Sequence, residues 1–571
     1  MTMPGNRSAP RLLASGGDEP NRRSRSRRRL GILVGLGAVV ALAATNSPTV
    51  GFASAGGHRA DRTVCDGLTP DLRFAKEARW LGVEHACEHL QERELSRESA
   101  TAMTTLAPVK SLASTDPSAI GQWSNAANPG TQTIGIASVV LHTGKVLLFG
   151  GRYSSGGQNT AAYLIDPVTF TGHEVPAPAA VFCGGITPLA DGRLLSVGGT
   201  SVIPKGIVDV WLFDPVTEQW IRQPDTPLGR YYPTTTRLPD GRVVIAAGTE
   251  ADGKTSNPTV EVYTPPAPGQ SVGSINVVSN NHKTGTYPHQ WVMPDGNMLQ
   301  VDGGRRNYKL TVGSWAWSPF PLLPETLGQG SAGMLLPGGP AGSSQVAVIG
   351  GSVKGVASKH TMDFDYSNPG AGWKLGQALP TPRAHMNVVQ VPDGTAFGIG
   401  GNTTGLYGGG ETQTLFYDPA TDTWTNMAVQ AIRRAYHSTA VLLPDGRIMS
   451  AGDTGPGGGG QLIDFYSPPY LFQGPRPTID SSPAQLSYGQ SFNIATSGPG
   501  ATTAVLMAPG STTHDDEMNA RRVALAVSPA TGGLSATAPP SANVAPPGYY
   551  MLFVLTASGI PSEAKWVYLG N

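Results

Sequence analysis

Short apolar runs separated by turn residues dominate the chain from about residue 121 onwards. In most copies of a repeated pattern, one run is followed by a tight polar turn, a second run and a closing glycine. The copies are VVLHTGKVLLFGG (139–151), TPLADGRLLSVGG (187–199), RLPDGRVVIAAG (237–248), WVMPDGNMLQVDGG (291–304), SSQVAVIGG (343–351), VQVPDGTAFGIGG (389–401) and VLLPDGRIMSAG (441–452). Asp-Gly is a preferred pair for a tight hairpin turn. Each copy is therefore predicted to form a β-hairpin.

The spacing of these copies indicates a repeat architecture. Successive copies end roughly 50 residues apart, which is the period of kelch repeats. Several copies are followed by a further strand that ends in Asp-Pro, as in YLIDPVT (163–169), WLFDPVTEQW (211–220) and LFYDPATDTW (415–424). Four strands per repeat and seven repeats predict a seven-bladed kelch-type β-propeller over residues 121–470.

The pattern changes on both sides of this region. Residues 471–571 contain short alternating strands such as SFNIAT (491–496) and RVALAV (522–527) with Gly and Pro turns, which predict a C-terminal immunoglobulin-like β-sandwich. Residues 57–120 are predicted to form a short helical preface, because Pro70–Glu98 is rich in helix formers with helically spaced apolar positions. The predicted fold class is therefore all-β, with a helical N-terminal segment.

The first residues read as a targeting segment. Six arginines between Arg22 and Arg29 precede the apolar run Leu30–Ala44, the order of charge and apolarity found in a secretory signal. The run is short for a membrane span, which needs about 20 residues. Residues 1–56 are thus predicted to be a signal peptide, with an uncleaved N-terminal membrane anchor as the alternative. We expect an exported protein, secreted or held at the outer face of the cell membrane.

Charge and cysteine content narrow the picture further. Lys plus Arg and Asp plus Glu both number 40, and only 14% of residues are charged, which argues against a nucleic-acid partner. In an exported protein Cys65 and Cys87 are expected to form a disulfide, with two unpaired thiols as the alternative. The third cysteine, Cys183, is left over, and a lone buried cysteine is usually a small hydrophobe.

Candidate chemistry lies next to the repeats. Tyr436 stands beside His437 ahead of an LPDGR turn, Tyr232 stands ahead of an earlier LPDGR turn, and His514 lies in a polar loop of the C-terminal region. Two imidazoles and two phenols form a nitrogen and oxygen ligand set that suits copper(II). Neighbours in a regular strand point to opposite faces. Tyr436 and His437 can therefore share one metal only if the chain is irregular where it approaches the strand.

These residues resemble the copper radical oxidases, the family of galactose oxidase, the glyoxal oxidases and their bacterial relatives. The resemblance covers about residues 121–571. It rests on Phe182-Cys183-Gly184-Gly185, Arg230-Tyr231-Tyr232, Tyr436-His437 and Thr513-His514 followed by Arg521-Arg522. The resemblance implies one copper ion held by Tyr232, Tyr436, His437 and His514. It also implies a thioether between Cys183 and Tyr232 that carries a tyrosyl radical, while Tyr436 accepts the substrate proton.

The implied reaction is oxidation of a primary alcohol or small aldehyde, with reduction of dioxygen to hydrogen peroxide. The sequence departs from galactose oxidase where a tryptophan stacks on the thioether. Here the chain reads Tyr287-Pro288-His289-Gln290-Trp291, and counting from the Asp295-Gly296 turn puts His289 nearest that place, with Trp291 two residues later. The N-terminal carbohydrate-binding sandwich of galactose oxidase is replaced by the helical preface. Both departures favour small aldehydes or the alcohol groups of a glycan as substrate.

Other interpretations stay open at this point. Arg433 and Arg434 lie beside the Tyr-His pair and are candidates either for binding a polar substrate or for a structural role. A non-catalytic kelch propeller that binds glycan or protein at the cell surface is the main alternative, because fold alone does not establish function. A propeller that holds another metal for hydrolysis is a weaker one, since phenolates are poor zinc ligands. The expected partners are an alcohol, aldehyde or glycan substrate and O2, and the expected state is a monomer.

Overall fold

The computed structural model describes residues 115–152, 160–405, 408–453 and 459–570. These residues all belong to one compact unit. The predicted signal or anchor (1–56), and the predicted Cys65–Cys87 disulfide with the helical segment around it, lie outside the described residues. Among the described helices, none is long and apolar enough to cross a membrane.

The described chain begins with the helix α1 (Pro117–Ile120) and the strand β1 (Gln122–Trp123), and then forms seven successive groups of strands. The first three groups are β2 (Thr133–Val140), β3 (Val146–Arg152), β4 (Ala162–Asp166) and β5 (Thr171–Glu174); β6 (Gly185–Pro188), β7 (Leu194–Val197), β8 (Val210–Asp214) and β9 (Gln219–Arg222); and β10 (Thr234–Arg237), β11 (Val243–Ala246), β12 (Val260–Thr264) and β13 (Ser274–Ser279).

The fourth and fifth groups are β14 (His289–Val292), β15 (Met298–Val301), β16 (Asn307–Thr311) and β17 (Ala316–Phe320); and β18 (Gln329–Leu335), β19 (Gln345–Val353), β20 (Val356–Ala357), β21 (Thr361–Asp365) and β22 (Lys374–Leu375). The sixth and seventh groups are β23 (Asn387–Gln390), β24 (Ala396–Ile399), β25 (Asn402–Thr404), β26 (Gly408–Asp418) and β27 (Thr423–Arg434); and β28 (Ser438–Leu442), β29 (Ile448–Gly452) and β30 (Asp464–Ser467). Short 3₁₀ turns lie at Pro369–Ala371 and Pro469–Leu471.

Each group forms an antiparallel sheet, and the sheets close into a ring. The seventh sheet takes its fourth strand from the start of the propeller, because β1 pairs with β30 through Gln122–Ser467 and Trp123–Tyr466. A buried apolar cluster lies between every consecutive pair of sheets, including the seventh and the first, where Leu148 packs with Met449. The burial of these apolar faces drives the closure. The predicted all-β propeller fold is therefore confirmed.

The C-terminal strands form two further sheets around a core of their own. The strands are β31 (Thr478–Ser481), β32 (Gln485–Leu486), β33 (Ser491–Ser497), β34 (Ala501–Met507), β35 (Ser511–Thr513), β36 (Asp516–Glu517), β37 (Arg522–Ala524), β38 (Ala526–Ala530), β39 (Gly533–Thr537), β40 (Gly548–Thr556) and β41 (Lys565–Leu569). One sheet has the order β31-β33-β39-β38 and the other the order β32-β41-β40-β34-β37. Phe492, Leu506 and Tyr550 lie in the core between them.

One hairpin of this region leaves the sandwich and enters the axis of the propeller. β35 pairs with β2, the innermost strand of the first sheet, and places Thr513 opposite Ala137. β36 lies against β18 and β23, the innermost strands of the fifth and sixth sheets. His514 and Asp515 form the tip of this hairpin. The C-terminal region thus delivers side chains to the centre of the ring, and the domain border expected at 470/471 stays a prediction.

Candidate active site

Strained backbone positions collect at one end of the propeller axis. In the second, third, fourth, sixth and seventh sheets, the chain enters the inner strand from a non-glycine residue with positive φ. In each case this residue stands nine residues before the glycine of the hairpin turn. These residues are Cys183 (φ 58°, before Gly192), Tyr232 (64°, before Gly241), Tyr287 (45°, before Gly296), His385 (54°, before Gly394) and His437 (68°, before Gly446). His514 (52°) and Asp515 (67°) share this conformation at the axial hairpin. Such φ values are costly for residues with a Cβ and are concentrated at functional sites.

Buried arginines hold three of the segments that lead into the inner strands. Arg230, Arg383 and Arg434 have fully buried side chains and form ion pairs with Glu261, Glu411 and Asp464 respectively. The carbonyl of each arginine also accepts a hydrogen bond from the closing glycine of the preceding repeat, at 2.8 to 2.9 Å. Arg434 is thus occupied in holding the loop, donating to the carbonyls of Gly452 and Leu462 as well. The partly exposed Arg433 stays a candidate for contact with substrate.

One extra residue explains how Tyr436 and His437 share the site. Arg230 and Arg383 stand two residues before the positive-φ position, whereas Arg434 stands three residues before His437. Tyr436 precedes β28, outside any regular strand. Its ring lies on the ring of His437, with centroids 3.7 Å apart and an interplanar angle of 29°. The irregular approach that the sequence required is therefore present, and His437 is the counterpart of Tyr232 in the repeat.

The five residues singled out from the sequence lie together at the axis. The hydroxyls of Tyr232 and Tyr436 are hydrogen-bonded to each other. The Cys183 Sγ is 3.3 Å from Nε2 of His514. The sulfur of Cys183 and one ring nitrogen each of His437 and His514 lie within 4.8 Å of one another. Cys183, Tyr436, His437 and His514 are all buried, and Tyr232 is half-buried. The arrangement therefore brings two imidazoles, two phenols and one thiol into mutual reach.

The hydrogen bonds of Thr513 define the protonation of His514. The Thr513 hydroxyl donates its single proton to the carbonyl of Ile136 at 3.0 Å. It must therefore accept the second hydrogen bond, which joins it to Nδ1 of His514 at 2.7 Å. Nδ1 then carries the ring proton, and Nε2 keeps its lone pair on the side of Cys183 and His437. Such an orienting partner is typical of histidines that bind metals.

Tyr232 lies between two other tyrosine rings. Its ring stacks on Tyr231 at 4.0 Å and on Tyr287 at 4.6 Å, with interplanar angles of 19° and 27°. The Tyr287 hydroxyl donates to the Gly184 carbonyl at 3.0 Å, and its amide donates to the Tyr232 carbonyl at 3.0 Å. Burial raises the pKa of the Tyr287 phenol well above its usual value. Tyr287 is therefore a neutral ring held against Tyr232.

The expectation that His289 or Trp291 stacks on this unit differs from what the structure shows. Both residues lie inside the regular strand β14, whereas Tyr287 occupies the position before it. His289 is hydrogen-bonded through Nδ1 to Asp516 at 3.0 Å and through Nε2 to Ser331 at 3.1 Å. Trp291 packs in the core between the fourth and fifth sheets. Tyr287 stands nine residues before its turn glycine, as Cys183 and Tyr232 do. This shared sequence separation is the signal by which Tyr287 could have been identified.

Two histidine–aspartate pairs extend the site and were not identified from the sequence. Nδ1 of His385 donates to Asp515 at 2.5 Å, and the ring of His385 lies 4.6 Å from that of Tyr436. Burial raises the pKa of the Asp515 carboxyl to about 6, although His385 acts in the opposite direction. His289 and Asp516 form the second pair. The run THDDE (513–517) contains the two aspartates of these pairs, but their histidine partners come from other sheets.

An open cleft of about 1130 Å³ leads to these residues. Tyr232, Tyr287, Tyr436 and His514 line it together with loops of the third, fourth and fifth sheets. A small molecule or the end of a chain can therefore reach the tyrosine pair from solvent.

A propeller with a cysteine, two tyrosines and two histidines at its axis is the arrangement that the resemblance to the copper radical oxidases implied. Comparison with known proteins gives the same class. Residues 476–569 match the family model "Galactose oxidase-like, Early set domain". A solved structure described as a novel fungal alcohol oxidase of the AA5 family in complex with copper superposes with a TM-score of 0.68 over 79% of this chain and 100% of that one, at 21% identity, and so shares the fold.

Curated relatives match about 70% of the chain. The aldehyde oxidase GLOX of Vitis pseudoreticulata is 28% identical over 438 residues, covering 68% of this chain and 82% of that protein. A galactose oxidase of Gibberella zeae is 27% identical over 449 residues, covering 70% and 61%. A WSC domain-containing protein of Arthroderma benhamiae is 27% identical over 468 residues, covering 74% of this chain and 50% of that protein, so this chain matches only half the length of that relative. The predicted relationship to the galactose and glyoxal oxidases is confirmed.

Proposed function

We propose that this protein is a mononuclear copper radical oxidase that oxidises a primary alcohol or aldehyde and reduces O2 to H2O2. The observation that carries the proposal is the convergence of Cys183, Tyr232, Tyr436, His437 and His514 at the propeller axis. Three of them, Tyr232, Tyr436 and His514, line one open cleft. The balanced reaction converts an alcohol and O2 into an aldehyde and H2O2. A hydrated aldehyde gives the carboxylic acid in the same way.

The donor set fits copper. Two imidazole nitrogens and two phenol oxygens suit copper(II), and the proton on Nδ1 leaves Nε2 of His514 available to a metal. Tyr232, Tyr436, His437 and His514 are the residues that would hold the ion. When bound, copper supplies one of the two one-electron acceptors that a two-electron oxidation requires.

The side chains have separable tasks. Tyr436 accepts the proton of the substrate hydroxyl at its phenol oxygen, which the hydrogen bond to Tyr232 places at the floor of the cleft. The Cys183–Tyr232 unit is the second one-electron acceptor. The rings of Tyr231 and Tyr287 cover both faces of Tyr232 and exclude water from them. Stacked rings of this kind prolong the life of a radical by shielding it from solvent.

The thioether between Cys183 and Tyr232 forms by oxidation of these two side chains. The amide of Tyr232 donates to the carbonyl of Cys183 at 3.0 Å, which keeps the two residues adjacent. Formation of the bond from sulfur to the carbon beside the phenol oxygen removes the thiol hydrogen and one ring hydrogen. O2 takes both hydrogens with two electrons and leaves as H2O2, so the step balances.

Copper-dependent production of H2O2 tests the proposed activity. Purified protein loaded with copper is offered primary alcohols and small aldehydes, with Tyr436→Phe and the exposed substitution Lys565→Gln as matched variants. We expect Tyr436→Phe to lower kcat by about 10²–10⁴-fold, since it removes a proton acceptor, and Lys565→Gln to leave kcat unchanged. Equal activity of Tyr436→Phe and wild type would contradict the role of Tyr436.

A second candidate function is a metal site without a radical cofactor. Cys183, His437 and His514 alone form a cysteine–histidine–histidine group that also suits zinc. Burial raises the pKa of the Cys183 thiol well above its usual value, which disfavours the thiolate that such a site needs. Tight zinc binding with an unmodified Cys183 and no oxidase activity would favour this candidate. The absence of any bound metal would favour the non-catalytic binding propeller.

Export is part of the proposal. The arginine-rich segment followed by Leu30–Ala44 supports delivery outside the cytoplasm, either as a secreted protein or with the N-terminus as a membrane anchor. Small alcohols, small aldehydes and the alcohol groups of glycans are the proposed substrates, and a monomer is the proposed state.

A further inference from the structure

The mouth of the cleft is strongly basic. Five cationic residues line it, and all five are exposed: Lys254, Lys283, Arg305, Arg306 and Lys354. They belong to loops of three adjacent sheets, following β11, β13, β15 and β19. Arg305 is held in place by a hydrogen bond from its Nε to the carbonyl of Leu323 at 2.7 Å. The cations therefore form a rim along one side of the opening, which we call the basic rim.

The acidic residues that line the cleft do not neutralise the basic rim. The described lining contains three of them, namely Asp302, Asp515 and Asp516. Asp515 and Asp516 are buried at the floor and are engaged by His385 and His289. Asp302 is partly buried, and burial raises the pKa of its carboxyl. Lys254 also has the carboxylate of Asp252 close by in its own loop. The other four cations face at most one negative charge among the described residues that line the cleft.

This excess is local and not a consequence of composition. Lys plus Arg and Asp plus Glu each number 40 in the whole chain. A cleft lined with charges of one sign concentrates ligands of the opposite sign and raises their association rate by about 10–10³-fold. Lysine and arginine bind carboxylate, sulfate and phosphate through charge-assisted hydrogen bonds.

From this placement we propose that the substrate is anionic: a molecule whose primary alcohol or aldehyde reaches Tyr436 while its carboxylate, sulfate or phosphate groups lie on the basic rim. The inference rests on the proposed oxidase function and deepens it. The rim residues do not touch the reacting atoms. They therefore act on substrate capture and change KM and kcat/KM, while kcat stays constant.

Matched substrate pairs test the inference and separate its two sources of charge. One pair is glyceraldehyde and glyceraldehyde 3-phosphate. The other is a galactan oligosaccharide sulfated on a secondary hydroxyl, with its primary hydroxyls intact, and its desulfated form. We expect the anionic member of at least one pair to have a kcat/KM about tenfold higher at low salt. The pair that shows the effect identifies a small phosphorylated molecule or an acidic glycan as the source.

Variants of the rim provide the matched control. The triple substitution Lys283→Gln, Arg306→Gln, Lys354→Gln removes exposed charges outside the catalytic residues, and Lys565→Gln removes an exposed charge from the C-terminal sheet. The triple variant is expected to lose about tenfold in kcat/KM for the anionic substrate and to keep its activity on the neutral one. Raising the ionic strength from about 0.01 M to about 0.15 M shortens the screening length from about 30 Å to about 8 Å, and it should reduce the preference of wild type to the same extent.

The outcomes are distinguishable. Equal turnover of neutral and anionic members, or a preference that the triple variant keeps, would overturn the inference and leave the oxidase function intact. Failure to turn over any substrate would contradict the proposed function. Even then, the affinity for a fluorescent sulfated oligosaccharide decides the inference: tighter binding by wild type than by the triple variant supports an anion-binding rim, and equal binding refutes it.

Discussion

The hydroxyl of Thr513 is predicted to control metal binding although it is not itself a ligand. In Thr513→Val the side chain keeps its shape but loses its hydroxyl. Nδ1 of His514 then loses its acceptor, and the carbonyl of Ile136 loses its donor. The ring of His514 becomes able to rotate or to exchange its tautomer. Nε2 would then no longer be held toward Cys183 and His437.

The size of the effect follows from both losses. Removal of a partner that orients a metal-binding histidine typically costs 10- to 100-fold in metal affinity. A buried carbonyl left without its hydrogen bond costs about 1–3 kcal/mol of stability. We therefore expect Thr513→Val to bind copper about 10- to 100-fold more weakly and to unfold at a lower temperature.

Copper affinity measured by competition with a chelator, together with thermal unfolding of the metal-depleted protein, separates the two effects. The matched control is Thr513→Ser, which keeps the hydroxyl and should bind copper nearly as well as wild type. If Thr513→Val bound copper as tightly as wild type, the hydrogen-bond assignment around His514 would be refuted. If Thr513→Ser lost as much affinity as Thr513→Val, the methyl group and its packing would be the cause.

The remaining predictions concern the radical ring, the loop anchors and one acidic pair. Tyr287→Phe keeps a ring on Tyr232 and should leave the midpoint potential of the proposed Cys183–Tyr232 radical close to that of wild type. Tyr287→Leu should shift this potential and shorten the lifetime of the proposed radical, as measured by redox titration of its absorption band. Arg434→Met leaves the buried carboxylate of Asp464 without its cationic partner, although Gln430 still donates to it. It should cost about 3–5 kcal/mol in the free energy of unfolding, while Arg433→Met should cost less than about 0.5 kcal/mol. Equal losses in urea titrations would contradict the anchoring role. Burial and the nearby Asp422 raise the pKa of the Asp363 carboxyl to about 6. The folded state therefore binds this proton more tightly than the unfolded state and loses stability as the pH rises from about 4 to about 6. A pKa raised from 3.8 to about 6 corresponds to about 3 kcal/mol at pH 8. Asp363→Asn should accordingly stabilise the protein by up to about 3 kcal/mol at pH 8 and have little effect at pH 4. The same effect at both values would exclude a titrating Asp363.

Local patterns of the chain predicted the ring of sheets because each hairpin is encoded within a dozen residues. The Asp-Gly turns and the closing glycines are short-range signals, and they recur at a constant period. Closure of the seventh sheet by Gln122–Trp123 could not be predicted from such local patterns. The strand β1 is only two residues long, and its partners Tyr466 and Ser467 are far away in the sequence. The axial hairpin has the same character, since Thr513 meets Ala137 across most of the sequence.

The candidate site was partly predictable for the same reason. Cys183, Tyr232, Tyr436, His437 and His514 were recognised as a set, and the structure brings them together. Tyr287 was within reach, since it shares the spacing from its turn glycine with Cys183 and Tyr232. The pairing of His385 with Asp515 was not predictable. His385 shares the spacing from its turn glycine and Asp515 lies in the run THDDE, but the two patterns are far apart in the sequence, and the residues meet only when the C-terminal hairpin enters the axis. The extra residue between Arg434 and His437 could be recognised only by comparison with the other sheets, where the buried arginine stands two residues before the positive-φ position.

The most direct test of the central claim is a peptide mass map of the copper-treated and aerated protein after full reduction of disulfides. The proposed function predicts that the peptides containing Cys183 and Tyr232 remain joined, with a combined mass lower by two hydrogens, and that Cys183→Ser abolishes the joined species. Separate peptides, with Cys183 open to alkylation despite bound copper, would contradict the radical cofactor.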